Sequence, residues 1–278
     1  MKYEEGMFPN GKLNLFYRCS IPEKPEGLFV ILHGHGEHSG RYQKFFRILE
    51  DSNLLMAALD FRGQGRSEGA EVYVDSYDDF VDDISAFVSF LQSRYGFREK
   101  IYLFGHSNGG LAAIHWALRN PDKIHALFLS SPCLGLKLPP VLVGLNNILN
   151  CFAPHFLYQN PVYPPHLSHN PEEIQNYKND TLIKRKISVR LIAEMLKAMD
   201  EIAKTPLFKF PFPVYVLAAG MEKVVDGEKT KLFFEKLNVP VKKIQIFDGF
   251  YHEIFNELHQ ERAFEALKSN LSEARRRT

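Results

Sequence analysis

The segment Gly105-His106-Ser107-Asn108-Gly109-Gly110 joins a short apolar run, 101–104, to an amphipathic stretch, 108–119. A serine on a sharp strand-to-helix turn is held in a strained backbone conformation, so the residues two positions away must be small, as Gly105 and Gly109 are. The Ser107 hydroxyl is then thrust into the crevice above the strand ends. The helix start beneath it offers backbone N–H groups and a positive dipole end to a developing oxyanion. The bland alternative is a glycine-rich loop closing an ordinary strand–helix unit. A nucleophilic serine needs a base to take its proton and an acid to hold that base in one tautomer. Of eleven histidines, His252 follows the last expected strand most directly, in Gly249-Phe250-Tyr251-His252-Glu253-Ile254, where it is expected to open the final helix. His115 and His125, in or just after the helix that follows the serine, are expected to be packed or at the surface. The acid is expected in the loop after 214–217, where Glu222 and Asp226 are the choices. Asp226 also has a structural use, as the N-cap of a helix starting at Gly227.

These residues need a scaffold, and the hydrophobic pattern supplies one. Short runs at 28–32, 54–59, 101–104, 126–129, 214–217 and 244–247 are apolar on both faces, which predicts buried parallel strands. Helical periodicity falls between them at 77–95, 108–119 and 227–237. Residues 13–21, following the hairpin-type dipeptide Asn10-Gly11, read as an early antiparallel strand. Strand–helix alternation of this kind predicts an α/β, doubly wound, mostly parallel sheet with right-handed crossovers. The rhythm breaks over 132–212, where prolines cluster before a helical stretch at 187–203. The expected division is therefore a core of 1–131 and 213–278 with an inserted, largely helical cap of 132–212.

Composition sets outer limits. The 278 residues carry 34 Lys+Arg against 33 Asp+Glu, so the chain lacks the basic footprint of a nucleic-acid binder. With 45% hydrophobic residues, including 23 Phe and 12 Tyr, it can bury one large core rather than remain disordered. Cys19, Cys133 and Cys151 are odd in number and widely spaced, as in a reducing, cytoplasmic compartment. The N-terminus lacks the apolar stretch of a signal peptide. No apolar run approaches the ~20 residues that cross a bilayer. Residues 141–153 are apolar, uncharged and interrupted by Asn, which suits a helix resting on a membrane surface, or a cap core.

Several motifs in order resemble the α/β-hydrolases of the monoglyceride lipase and lysophospholipase group over essentially the whole chain. His33-Gly34-His35-Gly36-Glu37-His38-Ser39-Gly40-Arg41-Tyr42 is similar to that group's oxyanion loop, and Asp60-Phe61-Arg62-Gly63-Gln64-Gly65-Arg66-Ser67-Glu68-Gly69 to its turn after the next strand. Asn179-Asp180-Thr181-Leu182 resembles part of its cap. The resemblance implies that Ser107 is the nucleophile, His252 the base and Glu222 the acid. It also implies that the backbone N–H groups of His35 and Asn108 form the oxyanion hole. Three residues depart from the pattern: Asn108 stands where Met is usual, His35 where a small residue is common, and Glu222 where the group has Asp. The His35 side chain is expected to narrow the pocket. Monoacylglycerols or lysophospholipids are the implied substrates, with no cofactor and no metal. In the cap, Val141, Leu142, Val143, Leu145, Ile148, Leu149, Phe152, Phe156 and Tyr158 are available to line an acyl channel or to form the cap's own core. Two rivals remain. His33, His35 and His38, spaced His-x-His-x-acid-His, resemble a metallo-β-lactamase-type metal motif. A hydrolase fold that only binds a ligand is the other.

Overall fold

The computed structural model describes residues 1–97, 101–160 and 162–277. Its centre is an eight-stranded sheet of β1 (Lys2–Asn10), β2 (Leu13–Ile21), β3 (Leu28–Leu32), β4 (Leu55–Leu59), β5 (Ile101–His106), β6 (Ile124–Ser130), β7 (Val214–Ala219) and β8 (Lys242–Phe247). The spatial order is β1-β2-β4-β3-β5-β6-β7-β8. From β4 through to β8 the strands run parallel, and β2 is antiparallel to both of its neighbours. This is the mostly parallel α/β architecture that the alternating pattern predicts.

The short strands are apolar throughout because helices cover both faces. Val30 and Leu32 of β3, Leu103 of β5 and Val216 of β7 point into one core with residues of α2 (Asp78–Tyr95), α3 (Asn108–Arg119) and α7 (Gly227–Glu235). The alternating set, Phe29, Phe104, Phe128 and Tyr215, packs on the other face against α1 (Gln43–Ile48) and α8 (Glu261–Arg275). The run at 244–247 departs from this expectation. β8 is an edge strand with most of its residues exposed, since only β7 flanks it. The N-terminal strand β1, full of acids and carrying Gly6 and Pro9, was not legible as a strand. It forms the opposite edge, where charge and proline are tolerated.

Between β6 and β7 the chain forms α4 (Pro140–Phe152), α5 (Pro171–Asn179), α6 (Val189–Lys204) and an antiparallel pair, Leu157–Gln159 with Lys186–Ser188. These parts are of two kinds. On α6, Leu191, Met195, Ala198, Met199 and Ile202 belong to the main core, and Ala198 O accepts a hydrogen bond from His115 Nε2. On α4 only Asn146 is buried.

Chain order and spatial order reverse at β3. From it the chain moves outward to β4, then returns to place β5 on its other side. In open α/β sheets a crevice opens beyond the carboxyl ends of the strands at such a switch point, and ligands bind there. The segments starting at His33 and Ser107 leave from these two strand ends.

Candidate active site

Ser107 has φ 51° and ψ −119°, the left-handed region that a side chain rarely adopts. The chain must double back sharply here, and the flanking glycines allow it. A Cβ on Gly105 would lie 2.4 Å from Gly109 O, and one on Gly109 would lie 2.3 Å from Leu32 O. Ser107 O accepts from Gly110 N and Leu111 N, so α3 starts directly under the serine. The first N–H groups of that helix have no intrahelical acceptor. Gly34, after β3, passes so close that a Cβ there would sit 3.2 Å from Ser107 Cβ. The structure therefore brings the His33–Gly36 loop against Ser107, next to the start of α3 at Asn108.

His252 follows β8, but it does not open the final helix as expected. It lies in a buried loop ahead of a short turn at Ile254–Asn256, and α8 begins only at Glu261. His252 Nδ1 donates to Glu222 Oε2 at 2.8 Å. A carboxylate accepts only, so Nδ1 carries the proton and Nε2 keeps its lone pair. Glu222 Oε1 accepts from Val224 N at 2.7 Å and Val225 N at 3.2 Å, which aims the other oxygen at the imidazole. Burial opposes the charge on both groups. For Glu222 it is outweighed by His252 and these N–H donors, which hold the carboxyl below its usual range. For His252 it is outweighed by Glu222, then Glu253 and Glu37, which raise the imidazole above its usual value. Asp226 is elsewhere, accepting from Glu228 N at 3.2 Å as the N-cap of α7. The His106 ring lies 4.9 Å from that of His252, tying the end of β5 to the histidine loop, and burial lowers its pKa to about 4.

Sequence reasoning missed the groups that hold these loops together. Arg41 forms a bidentate pair with Glu253, at 2.6 and 2.7 Å, and bonds Glu37 Oε2 at 2.8 Å. Glu37 Oε1 in turn accepts from Gly34 N at 2.9 Å. Arg41 also lies over the Tyr177 ring of α5 at 5.1 Å. Burial would cost these charges dearly, but Arg41 holds Glu253 down at about 2, with help from Asn256. Gln64 Oε1 accepts from Gly36 N at 2.6 Å, and Asp60 accepts from Ser39 N at 2.6 Å and Arg66 N at 2.8 Å. The available signal was acids and an arginine inside or beside the chemical motifs, at positions the fold buries.

Two of the three clustered histidines, His33 and His38, are spent on the fold through both ring nitrogens. His33 Nε2 accepts from Phe61 N at 3.0 Å, and Nδ1 bonds Gly34 O at 2.6 Å. His38 Nδ1 accepts from Gly40 N at 3.1 Å, while Nε2 bonds Asp180 Oδ2 at 2.7 Å. Neither imidazole keeps a free lone pair for a metal. His35 Nε2 donates to Lys186 O at 3.2 Å in the inserted segment, and burial lowers its pKa to about 4.

Ser107, His35 and Asn108 line one cavity of about 250 Å³. Its apolar wall comes from Leu136, Leu138, Val162, Ile187, Ile192 and Met195. None of the candidate channel residues from Val141 to Tyr158 lines it, because the hydrophobic stripe of α4 turns outward. Ile148 is 62% and Phe152 84% exposed. Cys133 also lines the cavity, with burial pushing its thiol up to about 12, which leaves it protonated and inert beside the serine.

Comparison with known proteins gives the family. Residues 23–259 match the family described as Serine aminopeptidase, S33. The chain is 33% identical over 252 residues to phospholipase YtpA of Bacillus subtilis, covering 89% of this chain and 95% of that one. It is 32% identical over 239 residues to the monoglyceride lipase of Homo sapiens, covering 84% and 78%. The crystal structure of a monoacylglycerol lipase from Paleococcus ferrophilus superposes with a TM-score of 0.84 at 31% identity, over 99% of this chain and all of the other. The chain belongs to the Serine aminopeptidase, S33 family and is an α/β-hydrolase of the monoglyceride lipase-like group, a serine hydrolase.

Proposed function

We propose that this serine hydrolase cleaves carboxylic esters of monoacylated lipids, monoacylglycerols or lysophospholipids, through an acyl-enzyme on Ser107. The observation that carries the reading is the strained Ser107 turn opening into a largely apolar cavity, with Glu222, which bonds His252, directly preceding the lining residues Lys223, Val224 and Val225. Ser107 Oγ attacks the ester carbonyl as His252 Nε2 takes its proton. The carbonyl oxygen gains charge and is held by the N–H groups of His35 and Asn108 at the positive end of α3. His252 then returns the proton to the departing alcohol. Water repeats the sequence and releases the fatty acid. No residue role in this route requires a metal or an organic cofactor. The names of two relatives, a phospholipase and a monoglyceride lipase, support the lipid class. Aminopeptidase activity fits less well, because a free ammonium calls for a carboxylate and none lines the cavity among the described residues. Residues 132–212 serve as the cap, anchored through α6, with α4 overhanging. Three free thiols fit the reducing, cytoplasmic compartment the sequence points to.

A fluorophosphonate probe, whose phosphorus a serine oxygen attacks with loss of fluoride, labels the wild-type protein. It does not label Ser107→Ala. Equal labelling of both proteins defeats the assignment of Ser107, and an unlabelled, well-folded wild type supports the binding-only reading.

The lipid reading extends to a surface. No helix among the described residues is long and apolar enough to cross a membrane. Yet α4 carries no charge and exposes Val141, Leu142, Leu145, Ile148 and Phe152 along one stripe, with Phe156 just beyond. Water is a poor neighbour for such a patch, and the acyl headgroup boundary of a bilayer is a good one. The protein floats with phospholipid vesicles, and Ile148→Asp with Phe152→Asp lowers the bound fraction severalfold. Absence of binding to every lipid composition, with full activity on a monomeric ester, counts against the membrane contact.

A further inference from the structure

We propose that the cavity selects esters whose leaving alcohol carries an anionic phosphate, placing lysophospholipids with a net negative headgroup ahead of neutral monoacylglycerols. This rests on the ester-hydrolase reading and sharpens its substrate class. The cavity that holds Ser107 is lined by two lysines, Lys137 and Lys223, and by no carboxylate among the described residues. Lys223 is the next residue to Glu222, and its Nζ donates to the hydroxyl of Tyr251, the residue before His252, at 2.6 Å. The same ammonium lies 4.1 Å from the Tyr251 ring centroid. Tyr251 is itself fixed, its N–H bonded to Glu257 at 2.7 Å and its ring stacked on His169 at 3.7 Å. A neutral phenol thus positions Lys223 without neutralising it, and two of its three protons stay free to donate.

The location fits the reaction. Lys223 follows Glu222 in the chain and lines the same cavity as Ser107, and in a lysophospholipid the phosphate is borne by the departing alcohol. The leucines, isoleucines and valines of the same lining suit the acyl chain.

The polar atoms of the lining point the same way. Asn160 Nδ2 is buried with no hydrogen-bond partner among the described residues, although Oδ1 of that side chain accepts from Val162 N. Asn108 Nδ2 is likewise unpaired, while its Oδ1 accepts from Tyr77. Among the buried side-chain acceptors of the lining, His35 Nδ1 is without a partner among the described residues. A monoacylglycerol brings hydroxyls, which accept from such donors only as neutral groups. A phosphate brings oxygens that only accept, and charge-assisted bonds to ammonium are the strong kind.

The test compares kcat/KM for a short-chain lysophosphatidylglycerol and the monoacylglycerol of the same acyl chain. Both are held below their micellar concentrations so that no charged interface contributes. In the wild type the anionic ester is preferred. In Lys137→Gln/Lys223→Gln the anionic-to-neutral ratio falls about 10- to 100-fold, the scale of losing hydrogen bonds to a charged group. Added salt lowers the wild-type ratio more than that of the double variant. Both lysines are exposed, and melting temperatures check that the variant is folded. Ester hydrolysis with a ratio that the double substitution leaves unmoved, or a wild type preferring the neutral ester, overturns the anionic selection alone. A wild type that hydrolyses neither ester and takes no fluorophosphonate label overturns the hydrolase reading and this inference with it.

Discussion

Glu222→Gln lowers kcat by about 10⁴-fold while leaving the fold intact, because an amide can present its NH₂ to Nδ1 and stabilise the wrong imidazole tautomer. The 2.8 Å bond from His252 Nδ1 to Glu222 Oε2 is what fixes the proton on Nδ1 and leaves Nε2 free to act as the base. Asp226→Asn, altering only the cap of α7, changes turnover little and costs at most about 1 kcal/mol of stability. The pH profile gives an independent readout. Protonated His252 cannot act as a base, so wild-type kcat/KM rises with pH through an apparent pKa above the usual histidine range, the direction in which Glu222 shifts it against burial. Removing the carboxylate charge moves that limb to lower pH. Turnover retained in Glu222→Gln and lost in Asp226→Asn reverses the assignment of the acid. An acid limb that does not move shows that Glu222 does not act through His252.

Arg41→Met destabilises the protein by about 3–5 kcal/mol, the usual cost of leaving buried carboxylates without their partner. Both Glu37 and Glu253 are about 95% buried and both bond Arg41, at 2.8 Å and at 2.6 and 2.7 Å. For a chain of this size the melting temperature falls by roughly 10 °C. Arg41→Lys restores the charge but not the two-pronged geometry, so it recovers only part of the loss. Urea unfolding of the three proteins measures the effect. A change below 1 kcal/mol in Arg41→Met means that the carboxylates find other partners or take up protons at little cost. Because this cluster joins the His33–Arg41 segment to the His252 loop and touches Tyr177 of α5, Arg41→Met also lowers the turnover of the protein that still folds.

The sequence by itself determined the parts whose physics is local. A serine between glycines at a strand-to-helix junction has few ways to be accommodated, and the 101–119 stretch folds as its pattern predicts, with Ser107 at the turn. Period-3.6 apolar spacing at 77–95 and uninterrupted apolar runs at 28–32 and 54–59 likewise carry their own burial instructions. Asp226 before Gly227 reads as an N-cap because capping involves only the next few residues. Tertiary structure decided whatever depends on partners far apart in the chain. The pairing of His252 with Glu222 spans 30 residues, and that of Arg41 with Glu253 spans 212. No periodicity encodes such meetings, since a buried charge is legible only once its counter-charge is in place. The apolar run at 244–247 became an exposed edge because strand order, not composition, fixes which strands are central. The stripe of α4 turned to the outside and left the cavity to Leu136, Leu138, Val162, Ile187, Ile192 and Met195. A helix's pattern shows that it has an apolar face. What that face meets depends on how the insertion docks on the sheet, and here α6 took the core.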